Sequence, residues 1–288
     1  MASRRHLENI VPVIRGALAE AGASLEDIDA VAVTRGPGLV GSLLVGIMAA
    51  KSISYATRIP LAGVNHLMGH LLAIFIEQEV PFPFIGMVAS GGHTALYLVE
   101  GFTAFRLLGG TRDDAAGEAF DKVAKYLELG YPGGKVIEEL ARRGDPKAIS
   151  FPRAYMAKAQ LDFSFSGIKT AVVNYVRSHP PSHDDMADIA ASFQEATVDV
   201  LVTKLIWAAQ QYGVGRVVVS GGVASNGRLR EKLHQAAKAP GIETYFPSPS
   251  LCRDNAAMIG VAGYHLLAAG QQDGLDMGAL SRWPLGKE

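Results

Sequence analysis

The chain has 288 residues, with 27 Lys and Arg against 28 Asp and Glu, one cysteine and 49% apolar residues. That length can bury a large core as one long domain or two lobes, and a net charge of −1 excludes a protein drawn onto nucleic acid or anionic membrane by bulk electrostatics. Cys252 has no intrachain disulfide partner and no signal-peptide pattern opens the sequence, so a reducing, cytoplasmic location is expected.

In chain order, residues 6–21 carry Leu7, Ile10, Val11, Ile14 and Leu18 at the spacing of an amphipathic helix. A short buried strand is predicted over 30–34, broken by Arg35-Gly36-Pro37-Gly38, then a helix over 39–55, a strand over 61–64 and a helix over 66–77. The charge-free stretch 59–76 is long enough to raise a membrane span. Pro60, Asn65, His66 and His70 and the change of element within it reject one. Beyond Pro81 the pattern turns to strands over 84–89, 94–99 and 104–108. Helices dominate 116–212, with Trp207 and the apolar positions of 193–209 reading as core. A Val-rich strand over 216–220, a helix over 226–238, a strand over 243–246 and a helix over 255–269 complete the order. The second half therefore opens with a three-strand meander that the otherwise similar first half lacks.

Glycine is in excess, 32 residues or about 11% against a general usage of ~7%. Doublets stand at Gly91-Gly92, Gly109-Gly110, Gly133-Gly134 and Gly221-Gly222. Glycine there admits positive φ and close approach of a ligand to backbone amides. Ser90-Gly91-Gly92 lies between two strands, and Ser220-Gly221-Gly222 between a strand and a helix, where helix N-terminal donors favour an anion. Simple tight turns and a nucleotide cleft are both open readings of these loops.

His66 and His70 are one helical turn apart and can reach a single metal, but the Glu that a zincin protease carries after its first His is missing. Asp254, at the start of the last helix, is either a third ligand or an N-cap. Glu118 and Asp121 with Lys122 and Lys125 read, on their own, as a solvated helix face with ion pairs. Arg142, Arg143, Lys147, Arg153, Lys158 and Lys169 form a locally basic stretch, either solvated surface or phosphate contacts.

Taken together, several stretches resemble the TsaD (Gcp, glycoprotease-like) family, which transfers a threonylcarbamoyl group to the adenosine beside the anticodon of tRNA. They are Thr34-Arg35-Gly36-Pro37-Gly38-Leu39, Asn65-His66-Leu67-Met68-Gly69-His70, Ser90-Gly91-Gly92-His93-Thr94 and Gly117-Glu118-Ala119-Phe120-Asp121-Lys122-Val123-Ala124-Lys125. Tyr131-Pro132-Gly133-Gly134, Phe163-Ser164-Phe165-Ser166-Gly167-Ile168-Lys169-Thr170, Ser220-Gly221-Gly222-Val223-Ala224-Ser225-Asn226 and Asp254-Asn255-Ala256-Ala257-Met258-Ile259 follow in family order.

The resemblance implies an α/β, actin-like ATPase (ASKHA) two-lobed fold. Lobe one would span 1–80, completed by 254–288, and lobe two 81–253 with a helical insertion. The family's opening strands and acidic Glu-Thr-Ser-Cys-Asp-Glu-Thr loop have no counterpart here, so the first lobe is expected to lack its N-terminal β-meander. The resemblance assigns one divalent metal ion, iron in preference to zinc, to His66, His70 and Asp254. It places an adenylate against Val88, Ala89, Ser90, Gly91, Gly92, Asp121, Gly134 and Asn226, and against Glu138 where the family commonly has Asp. Lys135 also departs from the family's usual small residue or Pro. The implied partners are tRNA, threonylcarbamoyl-adenylate and TsaB-like and TsaE-like proteins, with no membrane, and the implied reaction is transfer to the N6 amine of adenosine 37 in tRNAs reading codons that begin with A. A non-catalytic scaffold that binds the family's partners is the main alternative. A small-molecule kinase fails to account for the His-His-Asp set.

Overall fold

A computed structural model describes residues 2–154, 160–180 and 185–286. The chain divides into two units, one of 1–76, 101–104 and 255–288, the other of 77–100 and 105–254.

The first unit contains α1 (Ala2–Glu20), β1 (Val31–Gly36), α2 (Val40–Thr57), β2 (Leu61–Asn65), α3 (His66–Leu72) and α10 (Ala256–Ala268). β1 and β2 pair in parallel, with Val31 opposite Leu61 and Thr34 opposite Val64, and α2 is the crossover between them. β1 runs two residues past the predicted 34, because the chain bends away only at Gly36-Pro37. The helix predicted to 77 is α-helical only to Leu72 and tightens into a 3₁₀ turn over Ala73–Ile76. Ile47, Ala50, Leu61 and Met277 form a small core, in which the C-terminal segment supplies Met277.

The apolar stripe of α1 is not buried as an amphipathic helix of a closed core would be: Leu7 is 69% exposed and Val11 51%. With Ile10, Ile14, Leu44 and Met48 they line an open groove of ≈ 590 Å³ between α1 and α2. A sheet of two strands offers little surface to cover, and α2 already occupies it. For the same reason only 17% of the apolar, 18-residue α2 is buried.

The second unit holds a five-stranded sheet in the order β5-β4-β3-β6-β7. β3 (Phe84–Ala89), β4 (Thr94–Val99) and β5 (Phe105–Gly110) form the antiparallel meander read from the sequence, with β5 reaching Gly110, opposite Ala95. β6 (Arg216–Ser220) adds parallel to β3, with Met87 opposite Val219, and β7 (Glu243–Tyr245) adds parallel to β6. β3 and β4 are buried throughout, as continuous apolar runs inside a covered sheet should be. The helices are α4 (Ala116–Tyr126), α5 (Gly133–Ala141), α6 (Ser166–Ser178), α7 (Asp185–Gln211), α8 (Gly227–Lys238) and the short α9 (Pro249–Cys252), which the apolar pattern does not announce. α7 supplies Phe193, Leu201 and Leu205 to the core, and Trp207 packs against that core half-buried. Each unit thus carries a parallel pair joined by a helix, β1-α2-β2 and β6-α8-β7. Among the described residues only the second unit adds a meander.

Candidate metal centre and nucleotide cleft

α3 begins where Asn65 caps it: the Asn65 Oδ1 accepts the Leu67 N–H at 2.9 Å. His66 and His70 follow at i and i+4, and their rings meet edge to face with centroids 4.7 Å apart. Gly69 lies between them because a Cβ there would come within 2.9 Å of Ile259 Cδ1 and 3.3 Å of Met258 Cγ, so α3 rests on the first turn of α10. The N-cap of α10 is Asn255, which accepts the Met258 N–H at 2.8 Å. The cap reading of Asp254 therefore falls, since the neighbouring residue does that work. His66 and His70 thus sit together in the first unit, and Asp254 directly precedes Asn255, the N-cap of α10. Two imidazoles and one carboxylate suit a divalent transition metal and leave coordination positions for other oxygens.

The second constellation is a cleft of ≈ 650 Å³ within the second unit. Gly91, Asp121, Gly134, Glu138 and Asn226 line it. Three glycines allow its walls to close. A Cβ on Gly117 would lie 2.6 Å from Ser90 O and 2.8 Å from Gly91 N, so α4 starts directly on the 90–93 turn. A Cβ on Gly133 would lie 2.6 Å from Asp121 Cα and from Phe120 O, which locks α5 onto α4; there Asp121 Oδ1 accepts the Gly133 N–H at 2.8 Å. Gly221, at φ 88°, would drive a Cβ into the carbonyl of Ala89 where β3 and β6 end together. Gly91, Gly92, Gly134 and Gly222 have open space instead. Positive φ, expected of the doublets, is found in them only at Gly221; the others serve close approach or openness.

Other predicted residues behave differently. Val88 and Ala89 are buried in β3, so their side chains face the core. Ser90 and Gly92 stay in the adjoining turn, where Ser90 N–H donates to His93 O at 2.8 Å, and they do not line the cleft. Asn226 is buried, with its carboxamide engaged at both ends. Oδ1 accepts the Leu229 N–H at 3.0 Å and Nδ2 donates to Gln194 Oε1 at 2.8 Å. Glu138 Oε1 accepts the Gly227 N–H at 2.9 Å. Asn226 and Glu138 thus take two of the leading donors of α8, those of Leu229 and Gly227.

The ion pairs bear out the structural reading of Glu118 and Lys122. Lys122 bridges Asp114 at 2.7 Å and Glu118 at 2.9 Å, and Lys169 meets Asp114 at 2.7 Å. Part of the basic stretch is paired: Arg142 lies 3.6 Å from Glu138 and Arg153 pairs Asp199 at 3.0 Å, while Lys158 falls outside the described residues. Arg142, from the basic stretch, and Gly222, from the second Ser-Gly-Gly loop, do line the cleft, and sequence reasoning missed Tyr131 and Arg253 there. Tyr131 stands in a quoted motif and is 82% exposed. Arg253 immediately precedes Asp254, so the cleft lining reaches within one residue of a metal-ligand candidate.

Comparison with known proteins adds to this geometry. The family described as "TsaD: tRNA N6-adenosine threonylcarbamoyltransferase" matches residues 1–261. A protein of that name from Syntrophus aciditrophicus is 54% identical, with 99% of this chain and 85% of the relative aligned. One from Geobacter metallireducens is 56% identical, over 99% of this chain and 84% of the relative. Among solved structures, full-length HypF in a phosphate- and nucleotide-bound form superimposes with a TM-score of 0.66 at 15% identity, over 86% of this chain and 48% of HypF. An activator of 2-hydroxyisocaproyl-CoA dehydratase with bound ADPNP gives 0.52 at 17%, over 91% of this chain and 82% of the activator. At such identities the likeness speaks to fold, and the fold is the actin-like, two-lobed ASKHA architecture.

Proposed function

The chain belongs to the TsaD family of tRNA N6-adenosine threonylcarbamoyltransferases, and from that premise we propose that it moves a threonylcarbamoyl group from threonylcarbamoyl-adenylate to the N6 amine of adenosine 37 in tRNAs reading codons that begin with A. The observation that carries this reading is the family match over residues 1–261 together with the His66–His70 pair on one face of α3, which neither a kinase nor a scaffold requires. In the proposed reaction the adenosine N6 attacks the carbamoyl carbonyl carbon. The new C–N bond forms, the C–O bond to phosphate breaks, AMP leaves, and the amine gives up one proton. The donor is already activated, so the protein's task is orientation and charge stabilisation.

The unit-two cleft has the volume of a small-ligand pocket and takes the adenylate in this reading. Asp121 spends Oδ1 on Gly133 and offers its other oxygen to a ribose hydroxyl. Gly134 leaves room beside it, and Gly91, which lines the cleft with open space around it, takes the phosphate side, with Gly92 behind it in the turn. Val88 and Ala89 anchor that turn in the core, Ser90 closes it, and Asn226 and Glu138 hold the opposite wall rather than touch the ligand. A divalent ion held by His66, His70 and Asp254 would supply Lewis acidity to phosphate or carbonyl oxygens; iron is the proposed identity, by family resemblance. A cytoplasmic location, with TsaB-like and TsaE-like proteins as partners, belongs to the same reading.

The scaffold alternative is favoured by one feature, the open apolar groove between α1 and α2. Transfer to tRNA, measured by mass spectrometry of digested nucleosides with partner proteins present, separates the two. His66→Ala should lose bound metal and transfer activity together. Full transfer by the metal-free variant would refute the metal's role, and no transfer by the parent chain would favour the scaffold.

A further inference from the structure

The C-terminal segment 271–283 crosses the ends of β1 and β2. The Asp273 N–H donates to Leu61 O at 2.9 Å, and its carboxylate accepts from the Gly63 N–H at 2.8 Å and from Arg35 Nη1 at 3.0 Å. Arg35 Nε donates to Gly278 O at 3.2 Å, and its guanidinium lies 5.6 Å from the centre of the Trp283 ring. The Leu280 N–H donates to Arg35 O at 2.9 Å, so Arg35 of β1 holds the strap at Asp273, Gly278 and Leu280. Its last tie is to Asn65, whose Nδ2 donates to the Trp283 carbonyl at 3.0 Å.

Asn65 is buried and is the N-cap of α3. Its Oδ1 holds the Leu67 N–H while its Nδ2 is held by Trp283, so the carboxamide plane is pinned from both sides. α3 has seven residues, too few to be stable by helix propensity alone. Its rotation about its own axis is set by its cap and by its seat on α10. His66 is the next residue after the cap and His70 lies one turn on. We propose that the C-terminal strap, through the Trp283 carbonyl and Asn65, is a positioning element for the His66–His70 pair. This inference rests on the metal reading above. It assigns the strap a role in the geometry of metal binding and Asn65 a role beyond capping.

The test uses Co²⁺ as the probe on the whole chain, reading its dissociation constant by titration and its visible absorption bands. Asn65→Ser keeps a capping oxygen and removes the donor to Trp283. A chain ending at Ser281 keeps the Leu280 tie and removes the acceptor. Each should weaken Co²⁺ binding about tenfold, the low end of the loss when a metal's outer partners are removed, with altered bands. The two changes combined should lose no more than either alone, because both cut one link. The proposal is overturned if the parent binds Co²⁺ while both variants bind within threefold of it with unchanged bands, whatever happens to their melting temperatures. Additive losses overturn it as well. A parent chain that binds no Co²⁺ overturns the metal reading itself, and this inference with it.

Discussion

Gly133 and Gly134 are neighbours in one loop, and the structure gives them opposite fates on substitution by alanine. A Cβ on Gly133 would sit 2.6 Å from Asp121 Cα and Phe120 O and 2.8 Å from Asp121 N, all of them backbone atoms that cannot rotate away. Relief to ordinary contact near 3.4 Å needs a shift of roughly 0.8 Å between α4 and α5, which costs about 1–3 kcal/mol as overpacking. The same shift stretches the 2.8 Å bond from Gly133 N–H to Asp121, and a bond to a charged group contributes about 1.5–3 kcal/mol. The lower backbone entropy of unfolded alanine returns about 0.4–1 kcal/mol. Gly133→Ala should therefore destabilise by about 1.5–5.5 kcal/mol, and it should weaken AMP binding because Asp121 moves. At Gly134 nothing lies within 4 Å of the added atom. Gly134→Ala should be neutral or stabilising by up to about 1 kcal/mol, yet it places a methyl group in the cleft. Urea unfolding gives the stabilities and calorimetry with AMP gives the affinities. Equal stability losses in the two variants would refute the close-packing argument, and unchanged AMP affinity in both would remove these residues from the nucleotide site.

Asn226→Ala removes a helix cap worth ~1 kcal/mol and strands Gln194 Oε1 in a buried setting, a further cost of about 1–3 kcal/mol. A loss of about 2–4 kcal/mol in urea unfolding is expected, and a loss below about 0.5 kcal/mol would show that its carboxamide is not held as described. Acid lability should trace in part to Glu195. Burial pushes its carboxyl up, but hydrogen bonds from Arg228 and Lys232, with their charges, prevail and bring it from 4.5 down to about 2. The folded value is depressed, so the contribution is complete above pH ~4.5 and is lost as pH falls toward ~2. In Asp113 burial also acts upward and is outweighed by hydrogen bonds from Ser164, Ser166 and the Phe165 N–H, so its contribution is likewise lost on acidification. Glu195→Gln should flatten the fall in thermal stability between pH 5 and 3; an unchanged slope would clear that cluster of responsibility.

Periodicity and punctuation in the sequence marked where the chain is regular, because a buried strand such as Val217–Val219 or a His-x-x-x-His turn carries its geometry in its own spacing. Capping was not legible in the same way. Asp254 and Asn255 are both good caps on chemical grounds, and only the fold shows that Asn255 takes the Met258 N–H. The α8 N-terminus is the same problem at longer range: nothing near Gly227 in sequence reveals that Glu138, 89 positions away, holds its amide. The basic stretch divides for a related reason, since the carboxylates that pair with Lys169 and Arg153 come from Asp114 and Asp199, whereas Arg142 lines the cleft.

The glycine excess shows most sharply what composition can and cannot say. Counting residues identifies backbone that must pass close to something, but not what it passes. At Gly117, Gly133 and Gly221 the neighbour is the protein's own main chain, and these residues set how tightly the turns after β3 and β6 and the ends of α4 and α5 pack. At Gly91, Gly134 and Gly222 there is no neighbour, and all three line the cleft. A backbone that supports itself with one glycine and leaves the next open builds a rigid rim around free space. Such a rim is what orientation of an already activated donor requires, because geometry fixed before binding does not have to be created at the expense of binding energy. The same logic makes the open glycines the sensitive ones for ligand and the packed ones the sensitive ones for fold.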